Sequence, residues 1–290
     1  MRLPKNLLLK SGLINAGWKS RTYAATFESM KVFKATIAYD GTDFSGVAEQ
    51  VTKDGEAKIR TVVGELRPVI EMVAQSVPVI NVSGRTDKGV HALEQVISFS
   101  FPDNPDVEID VDRLAYVCNK RLNPEIVISS CEEAQEDFHA RFSAKSRTYR
   151  YFIDTNESPN IFSSRFAWHV GKELDVEAMN VAAKLFVGEK DFTSVCKQDD
   201  SMPHNIREVF SAEIIDADNA FGKENQLLCF QISANAFCWN MVRSIVGVLV
   251  DVGLGKIAPE DVQSLLDAKK RDSSRTFAPA HGLTLWNVQY

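Results

Sequence analysis

The chain has 290 residues, of which 44% are hydrophobic and 25% are charged, and its formal net charge at pH 7 is -6. These proportions are those of an ordinary globular protein and exclude collagen-like, coiled-coil and intrinsically disordered chains. The longest apolar run near the C-terminus, residues 244–254, contains an aspartate and is far too short to cross a bilayer, so no membrane segment is expected.

Residues 1–29 differ in composition from the rest of the chain. They contain five basic residues and one acidic residue, Glu28, together with serine, threonine and interspersed leucines. This composition is typical of a mitochondrial transit peptide, whereas a secretory signal would need a longer apolar stretch than the one that Lys10 interrupts. The alternative is a basic extension ahead of Met30, which could itself be a start codon, and the protein would then be cytoplasmic or nuclear.

The first half of the remaining chain predicts the order β-α-β-β-α-β. Alternating apolar residues indicate strands, and apolar residues at helical spacing indicate helices. Pro68 weakens the prediction of the first helix. The predicted elements are a strand at 32–39, a helix at 62–73, strands at 77–82 and 95–101, a helix at 111–118 and a strand at 125–130.

The second half repeats this order. Asp175 is a predicted N-cap, and Gly188 follows the end of the helix that Asp175 begins. The predicted elements are a strand at 148–153, a helix at 176–186, strands at 210–215 and 227–233, an apolar helix at 237–252, a short helix at 259–268 and a closing strand at 284–289.

The repeated order is that of the split β-α-β, or ferredoxin-like, arrangement, in which an antiparallel sheet carries both of its helices on one face. The sequence therefore predicts an α+β fold of two ferredoxin-like halves, with a mainly antiparallel central sheet flanked by helices and a cleft between the halves. No strong periodicity marks the stretch between Gln135 and Arg147. We therefore predict a basic extension at 1–29, an N-terminal half at 30–140 and a C-terminal half at 141–290.

The densest polar cluster of the chain lies between two predicted strands of the first half, from Ser83 to Ala92. Its glycines permit tight turns and let an acidic side chain project from the end of a strand into a cleft. The cluster combines Arg, Thr, Asp, Lys and His side chains, so it is a candidate catalytic loop. The same residues also fit a charged hairpin turn, and composition by itself does not choose between the two.

The five cysteines are widely spaced and include no C-x-x-C pair, and no histidine stands at the spacing of a zinc site. We interpret them as reduced core residues and predict no metal site. The net negative charge argues against nonspecific nucleic-acid binding, although a mean charge says nothing about a local basic cleft.

The sequence Gly84-Arg85-Thr86-Asp87-Lys88-Gly89-Val90-His91-Ala92 resembles the catalytic signature of the TruA family of tRNA pseudouridine synthases. Four further blocks resemble the same family, and the five blocks keep the family's order from about Met30 to Tyr290. The four are Tyr39-Asp40-Gly41-Thr42-Asp43-Phe44-Ser45-Gly46, then Asp137-Phe138-His139-Ala140-Arg141-Phe142 with Arg147-Thr148-Tyr149-Arg150-Tyr151, then Asn235-Ala236-Phe237 with Met241-Val242-Arg243, and Ala278-Pro279-Ala280-His281-Gly282-Leu283.

The resemblance implies a pseudouridine synthase fold and the isomerisation of uridine to pseudouridine in tRNA. This reaction breaks the bond from the ribose to N1 of uracil and rejoins the base through C5, so it needs a carboxylate and no redox carrier. No cofactor is therefore expected. By resemblance, Asp87 is the carboxylate and Arg243 is the partner that favours its charged form. Tyr149 can stack on the uracil, with its hydroxyl near the base as a proton acceptor at C5. Taken alone, Tyr149 also fits an ordinary core tyrosine and Arg243 a helix-surface ion pair.

The residues that we predict to bind RNA are mostly basic or lie beside the catalytic aspartate, and His91 among them also fits a structural role. Local positive charge in an acidic chain would form a basic cleft for RNA, and the alternative is a solvated charge run at a domain boundary. Family members that resemble this chain act as homodimers on tRNA. We therefore expect two partners, a tRNA and a second copy of this chain. The predicted substrate-binding residues are Arg85, Thr86, Lys88, His91, Arg141, Arg147 and Leu283.

One departure from the usual family sequence indicates which branch of the family the chain resembles. Val47 and Ala48 follow Gly46 where most bacterial members have Trp and Gln. This form resembles the animal branch called tRNA pseudouridine synthase-like 1, which is mitochondrial, and it strengthens the prediction of a transit peptide. The anticodon stem-loop is the expected target, although other branches act on other tRNA positions or on mRNA.

The alternative function from another class is an RNA-binding or RNA-folding protein that keeps the scaffold without catalysis. The presence of Asp87, Tyr149 and Arg243 argues against it. A Ser-His-Asp hydrolase would need a G-x-S-x-G elbow, which the sequence lacks.

Overall fold

The computed structural model of the protein describes residues 30–51, 58–199, 203–217, 227–272 and 274–290. The basic segment 1–29 lies outside the described residues, so the transit peptide stays a prediction. None of the described helices is long and apolar enough to cross a membrane. In chain order the elements are β1 (Val32–Tyr39), β2 (Gln50–Val51), β3 (Lys58–Ile59), α1 (Val62–Ala74), β4 (Val79–Val82), β5 (His91–Ser100), α2 (Val111–Leu122), β6 (Ile126–Ala134), β7 (Ser146–Asp154), β8 (Trp168–His169), α3 (Val176–Lys184), β9 (Gly188–Asp191), β10 (Ile206–Asp216), β11 (Leu227–Ala234), α4 (Met241–Gly253), α5 (Asp261–Asp267) and β12 (Leu283–Gln289).

Every helix and strand that the sequence predicts is present, with ends that differ by a few residues. The unpredicted strands β2, β3, β8 and β9 have two to four residues each, too few for an alternating pattern to stand out. Helix α1 continues through Pro68, although we expected the proline to weaken it. Its face of Val62, Leu66 and Ile70 is fully buried, and this burial outweighs the backbone hydrogen bond that proline cannot make.

Ten of the described strands form one sheet, whose main path runs β6-β1-β5-β12-β7-β11-β10-β9. Beside this path, β4 pairs with β5 and β8 pairs with β7. The four predicted strands of the first half therefore lie in the order β6-β1-β5-β4, and those of the second half in the order β12-β7-β11-β10. The two orders are equivalent, because each places the last strand of its half beside the first. The predicted α+β fold of two ferredoxin-like halves is confirmed.

The two halves join along one edge of β5, which has two different partners along its length. Its last residues, from Ile97 to Ser100, pair antiparallel with β4, and its first residues, His91 and Ala92, pair parallel with β12. The polar loop that connects β4 to β5 therefore leaves the sheet where the partner changes from one half to the other. The division at 140/141 stays a prediction, since one continuous sheet contains strands from both sides of it.

Helix α4 is the most deeply buried helix of the second half. All of its residues except Arg243 and Ser244 are buried. A Cβ atom at Gly247 would lie 1.9 Å from the carbonyl oxygen of Thr276, so only glycine lets the segment 276–278 cross the helix this closely. At this crossing the amide of Ala278 donates to the carbonyl of Arg243 at 3.3 Å. The crossing thereby places an ordered segment against the one charged side chain of the helix's first turn.

Candidate active site

The polar loop between β4 and β5 is held by side chains of the neighbouring strands. Gln95 of β5 is fully buried, and its Nε2 donates to the carbonyl of Gly84 at 2.8 Å, while its Oε1 accepts from the hydroxyl of Ser83 at 2.6 Å. The hydroxyls of Tyr39 and Thr86 share a hydrogen bond of 2.8 Å. These groups are buried, and leaving one unpaired costs about 1–3 kcal/mol, so they hold the loop firmly.

The loop also packs backbone to backbone against the segment that follows β1. A Cβ atom at Gly41 would lie 2.0 Å from the carbonyl oxygen of Val90. At Gly46, whose φ is +104°, a Cβ atom would lie 2.6 Å from the carbonyl oxygen of Thr86. Close approach therefore requires glycine at both positions. The first of the family blocks is thus the wall against which the polar loop packs.

Arg147 of β7 ties the loop to the second half of the chain. Its guanidinium is buried and donates to the backbone carbonyls of Ser83, Arg141, Ala144 and Asn235 at 2.6 to 3.3 Å. No carboxylate pairs with it among the described residues, and burial lowers the pKa of Arg147. The structure does not support the predicted contact of Arg147 with RNA, because its donors are already committed to backbone carbonyls.

Asp87 lies in the middle of the loop, and its side chain is 31% exposed. Its two carboxylate oxygens face different groups at the start of α4. Trp239 donates its indole N–H to Oδ1 at 3.0 Å, and Nη1 of Arg243 lies 3.8 Å from Oδ2. The first contact is a hydrogen bond, whereas the second is an ion pair that is too long for one. A carboxylate from the first half is thus held by two side chains from the second half.

Burial raises the pKa of Asp87 above its ordinary value. The charge of Arg243, the hydrogen bond from Trp239 and the charge of Lys197 oppose this shift without cancelling it. Arg243 therefore favours the charged form, as the sequence predicts, but burial is the larger influence. In the folded chain this carboxylate ionises at a higher pH than a solvent-exposed aspartate does.

Arg243 is also fixed by contacts with residues 277 and 278. Its Nε donates to the carbonyl of Ala278 at 2.8 Å, and its Cζ lies 4.1 Å from the ring centroid of Phe277. Its side chain is 15% exposed, and burial lowers the pKa of Arg243, which the nearby Asp87 opposes. These contacts orient the guanidinium before any ligand is present, which distinguishes Arg243 from a solvated helix-surface arginine.

Tyr149 of β7 is buried, and its hydroxyl approaches the loop. The hydroxyl oxygen lies 3.6 Å from the position that a Cβ atom at Gly84 would take, and the ring packs edge-on against Phe237. Burial raises the pKa of Tyr149, and Tyr39 and Asp87 add to the shift. Among the described residues the structure records no hydrogen bond to this hydroxyl. The phenol is therefore neutral and has its hydrogen-bonding capacity available beside the loop.

The other predicted site residues differ in exposure. Arg85 and Lys88 are exposed on the loop itself, and Arg141 is exposed in the connection between β6 and β7. Thr86 is buried within the anchor of the loop, and Leu283 is buried at the start of β12. The three cations are open to solvent, whereas the hydroxyl of Thr86 is already bonded to that of Tyr39.

His91, which we predicted to be either structural or in contact with RNA, is buried at the start of β5. Its Nδ1 accepts from the amide of Gly41 at 3.0 Å, and its Nε2 lies 3.1 Å from the carbonyl oxygens of Arg165 and His281. This pattern fits the neutral ring with its proton on Nε2. Burial is the largest cause that lowers the pKa of His91. Since both ring nitrogens are occupied, the structure does not support the predicted contact with substrate.

Sequence patterns did not reveal three residues of this site: Gln95, Trp239 and Lys197. Gln95 occupies an inward position of an alternating strand, and a polar residue at such a position is a signal that could have found it. Trp239 lies in a turn after β11, and Nζ of Lys197 lies 3.8 Å from its ring centroid. Neither of these two carries a signal in the sequence, because their roles come from partners that are distant along the chain.

Among the described residues, no group of three or more His, Cys, Asp and Glu side chains is placed to hold a metal ion. All five cysteines lie within the described ranges and are free thiols, three of them buried and two partly buried.

The doubled ferredoxin-like sheet, with an aspartate at the junction held by an arginine of the other half, places this protein in the pseudouridine synthase class. A family model described as tRNA pseudouridine synthase matches residues 35–143 and 182–290. The chain therefore belongs to the tRNA pseudouridine synthase family.

Curated relatives match this chain over nearly their whole length. A protein named tRNA pseudouridine synthase A from Bacillus subtilis (strain 168) is 40% identical over 260 residues, which are 89% of this chain and 98% of that protein. The protein of the same name from Brevibacillus brevis is 41% identical over 261 residues, which are 90% of this chain and 100% of that protein. A solved chain from a Cbf5-Nop10-Gar1 complex overlaps 75% of this chain and 45% of its own length at a TM-score of 0.32 and 11% identity, a likeness too low to bear on the fold.

We expect Arg147→Lys to lower the free energy of unfolding by about 2 kcal/mol or more, because each buried carbonyl left unpaired costs about 1–3 kcal/mol. A lysine keeps the charge but cannot reach carbonyls on three separate segments. Arg141→Lys is the matched control, and at its exposed position the change should stay within about 0.5 kcal/mol. Urea unfolding followed by circular dichroism measures both, and equal stabilities of the two variants would contradict the structural role of Arg147.

Proposed function

We propose that this protein isomerises uridine to pseudouridine in tRNA and that Asp87 is its catalytic carboxylate. The observation that carries the proposal is the place of Asp87, partly buried at the junction of the two halves with Trp239 bonded to one oxygen and Arg243 beside the other. Asp87 is also the single acidic residue between Ser83 and Ala92. Membership of the tRNA pseudouridine synthase family supports the activity and the class of RNA.

The reaction is an isomerisation, so only protons are exchanged with the surroundings. The bond from C1′ of the ribose to N1 of uracil breaks, the base turns, and a bond from C1′ to C5 forms, while N1 gains a proton and C5 loses one. A carboxylate can serve by attacking C1′, by attacking the base or by removing a proton from the sugar. All three roles need it ionised, and a raised pKa makes the ionised Asp87 a stronger base and nucleophile.

Two further residues have proposed catalytic roles. Arg243 favours the ionised form of the Asp87 carboxylate by its charge, 3.8 Å away. Tyr149 contacts the uracil that has been turned out of the RNA stack. Because the pKa of Tyr149 is raised, its hydroxyl fits a hydrogen-bond donor to the base better than an acceptor of the C5 proton.

The RNA is proposed to lie over the exposed side of the loop. Arg85, Lys88 and Arg141 supply exposed positive charge there, although the chain as a whole carries a net charge of -6. Contacts of this kind with phosphates position an RNA without reading its sequence. Leu283 is proposed to pack against the target base, and the anticodon stem-loop is the proposed target because the family resemblance implies it.

The test is release of tritium from tRNA labelled at C5 of uridine, with a metal chelator present. We expect the wild type to release tritium and Asp87→Asn to release it at least about a thousandfold more slowly. Because burial raises the pKa of Asp87, its ionisation at neutral pH opposes folding, so the neutral asparagine should not lower the free energy of unfolding. Labelled tRNA should bind both proteins with equal affinity.

Two outcomes would count against the proposal. Turnover by Asp87→Asn would remove Asp87 from the catalytic role. The wild type could instead bind tRNA and yet release no tritium from labelled cytosolic, mitochondrial or messenger RNA. That outcome would favour the RNA-binding or RNA-folding alternative.

We also propose that the protein is a homodimer. The support is its resemblance to dimeric family members, together with two consecutive apolar residues, Ile161 and Phe162, that are 79% and 78% exposed. These two adjacent side chains are proposed to form part of the contact between the two copies.

Light scattering should give twice the chain mass for the wild type, and Phe162→Asp should shift it toward the mass of one chain. Tyr116→Asp, at a residue of α2 that is 63% exposed, is the control and should stay dimeric. A wild type with the mass of one chain at micromolar concentration would contradict the proposal.

We propose further that the protein is mitochondrial and belongs to the animal branch that it resembles at Val47 and Ala48. The basic composition of residues 1–29 supports this location. Residues 1–29 fused to a fluorescent protein should reach mitochondria in animal cells, and replacing their five basic residues with glutamine should abolish import. A fusion that stays cytosolic or nuclear would instead favour translation from Met30.

A further inference from the structure

Trp239 contacts Asp87, yet neither the family blocks nor the chemistry of the reaction gives it a role. It lies in the turn between β11 and α4, and 46% of its surface is exposed. Its carbonyl accepts from the amide of Lys197 at 2.8 Å, and Asn240 follows in the left-handed region with a φ of 65°. The backbone of the turn that contains Trp239 is therefore held by a hydrogen bond at Trp239 itself and has a defined conformation at the next residue.

Among the described residues, the indole N–H of Trp239 is the group that donates a hydrogen bond to the carboxylate of Asp87. Nε1 of Trp239 lies 3.0 Å from Oδ1, whereas Nη1 of Arg243 lies 3.8 Å from Oδ2. An ion pair at the longer distance attracts the charge with little preference for direction. An N–H aimed at one oxygen also fixes the rotation of the carboxylate about its Cβ–Cγ bond.

The indole ring is itself held in place by a cation. Nζ of Lys197 lies 3.8 Å from the ring centroid, which is a cation–π contact. The charged and titratable groups around Asp87 therefore come from several elements: Arg243 from α4, Lys197 from the segment before β10, and Tyr149 from β7. The indole of Trp239 does not titrate, so it can orient the carboxylate without adding charge.

We propose that Trp239 is a positioning residue that sets the orientation of the Asp87 carboxylate through its indole N–H, a role that rests on the proposed catalytic function of Asp87. Because Trp239 acts through Asp87, loss of its N–H lowers turnover and leaves the affinity for tRNA unchanged. An exposed tryptophan beside a reactive group could instead stack on an RNA base. The two roles give opposite kinetic results, since stacking contributes to binding.

Three variants separate these roles. Trp239→Phe removes the donor and keeps an aromatic ring under Lys197, and Trp239→His restores a ring N–H at a similar distance from Cβ. Trp286→Phe is the matched control, because Cζ of Arg150 lies 4.1 Å from the ring centroid of Trp286 and no carboxylate of the described residues is bonded to this indole. The measurements are kcat and KM for tritium release, the Kd for labelled tRNA, and the pH dependence of kcat.

We expect Trp239→Phe to lose about tenfold in kcat, as for one hydrogen bond to a charged group, with KM and Kd unchanged. The fall of kcat on the acid side should move to higher pH, because the lost hydrogen bond favoured the ionised form of Asp87. Trp239→His should recover part of the rate above the pH at which its own ring is neutral. Trp286→Phe should match the wild type.

A wild-type kcat in Trp239→Phe would overturn the proposal. Weaker tRNA binding with no change in the pH at which kcat falls on the acid side would also overturn it, because that result marks a stacking contact. If Trp239→Phe does not fold by circular dichroism, Trp239→Leu takes its place at this half-exposed position. Failure of the proposed function is seen separately, as absent tritium release by the wild type or as turnover by Asp87→Asn. Active wild type, inactive Asp87→Asn and unaffected Trp239→Phe would reject the role of Trp239 alone.

Discussion

The site depends on the buried guanidinium of Arg147, which is shared among backbone carbonyls of three segments. One segment leads into the loop that carries Asp87, and another leads into the turn that carries Trp239 and then into the first turn of α4. A carboxylate from one half can be held by side chains of the other half only if these segments keep a fixed separation. Arginine suits this task because its planar group donates in several directions at once. The cost of burying its charge is offset by giving its donors carbonyl partners.

The chemistry proposed for Asp87 depends on the balance between its burial and the charges and hydrogen bond around it. Burial at the junction raises its pKa, and Arg243, Trp239 and Lys197 oppose that shift from the second half. Either influence alone would give a less useful group: a fully exposed carboxylate is a weak base, and a buried one without partners would stay protonated. The same junction binds His91 by both ring nitrogens. The polar residues of the family signature thus divide between the proposed chemistry of Asp87 and the contacts that hold the loop.

Much of the fold could be predicted because each long element must bury one face, and burial imposes a period on the sequence. The repeated β-α-β-β-α-β order came from such periods, while β8 and β9 were missed because they are too short to show one. For the site, family blocks identified Asp87 and Arg243, which the structure brings together. Arg147 and His91 lie in or beside these blocks, and the sequence left a contact with RNA open for both. A block reports residue type and position along the chain, but not whether a donor is already occupied by a buried carbonyl.

The sequence by itself determined the doubled order of elements and the polar loop, because both are recorded in residues that are near neighbours along the chain. Only the tertiary structure decided that β12 lies between β5 and β7, which joins the halves beside that loop. It also decided that the indole of Trp239 reaches the carboxylate of Asp87 across 152 positions of sequence. Contacts of this kind depend on which sheet edges pair and which turns meet. No local pattern specifies them, because their free energy comes from the assembled packing of both halves.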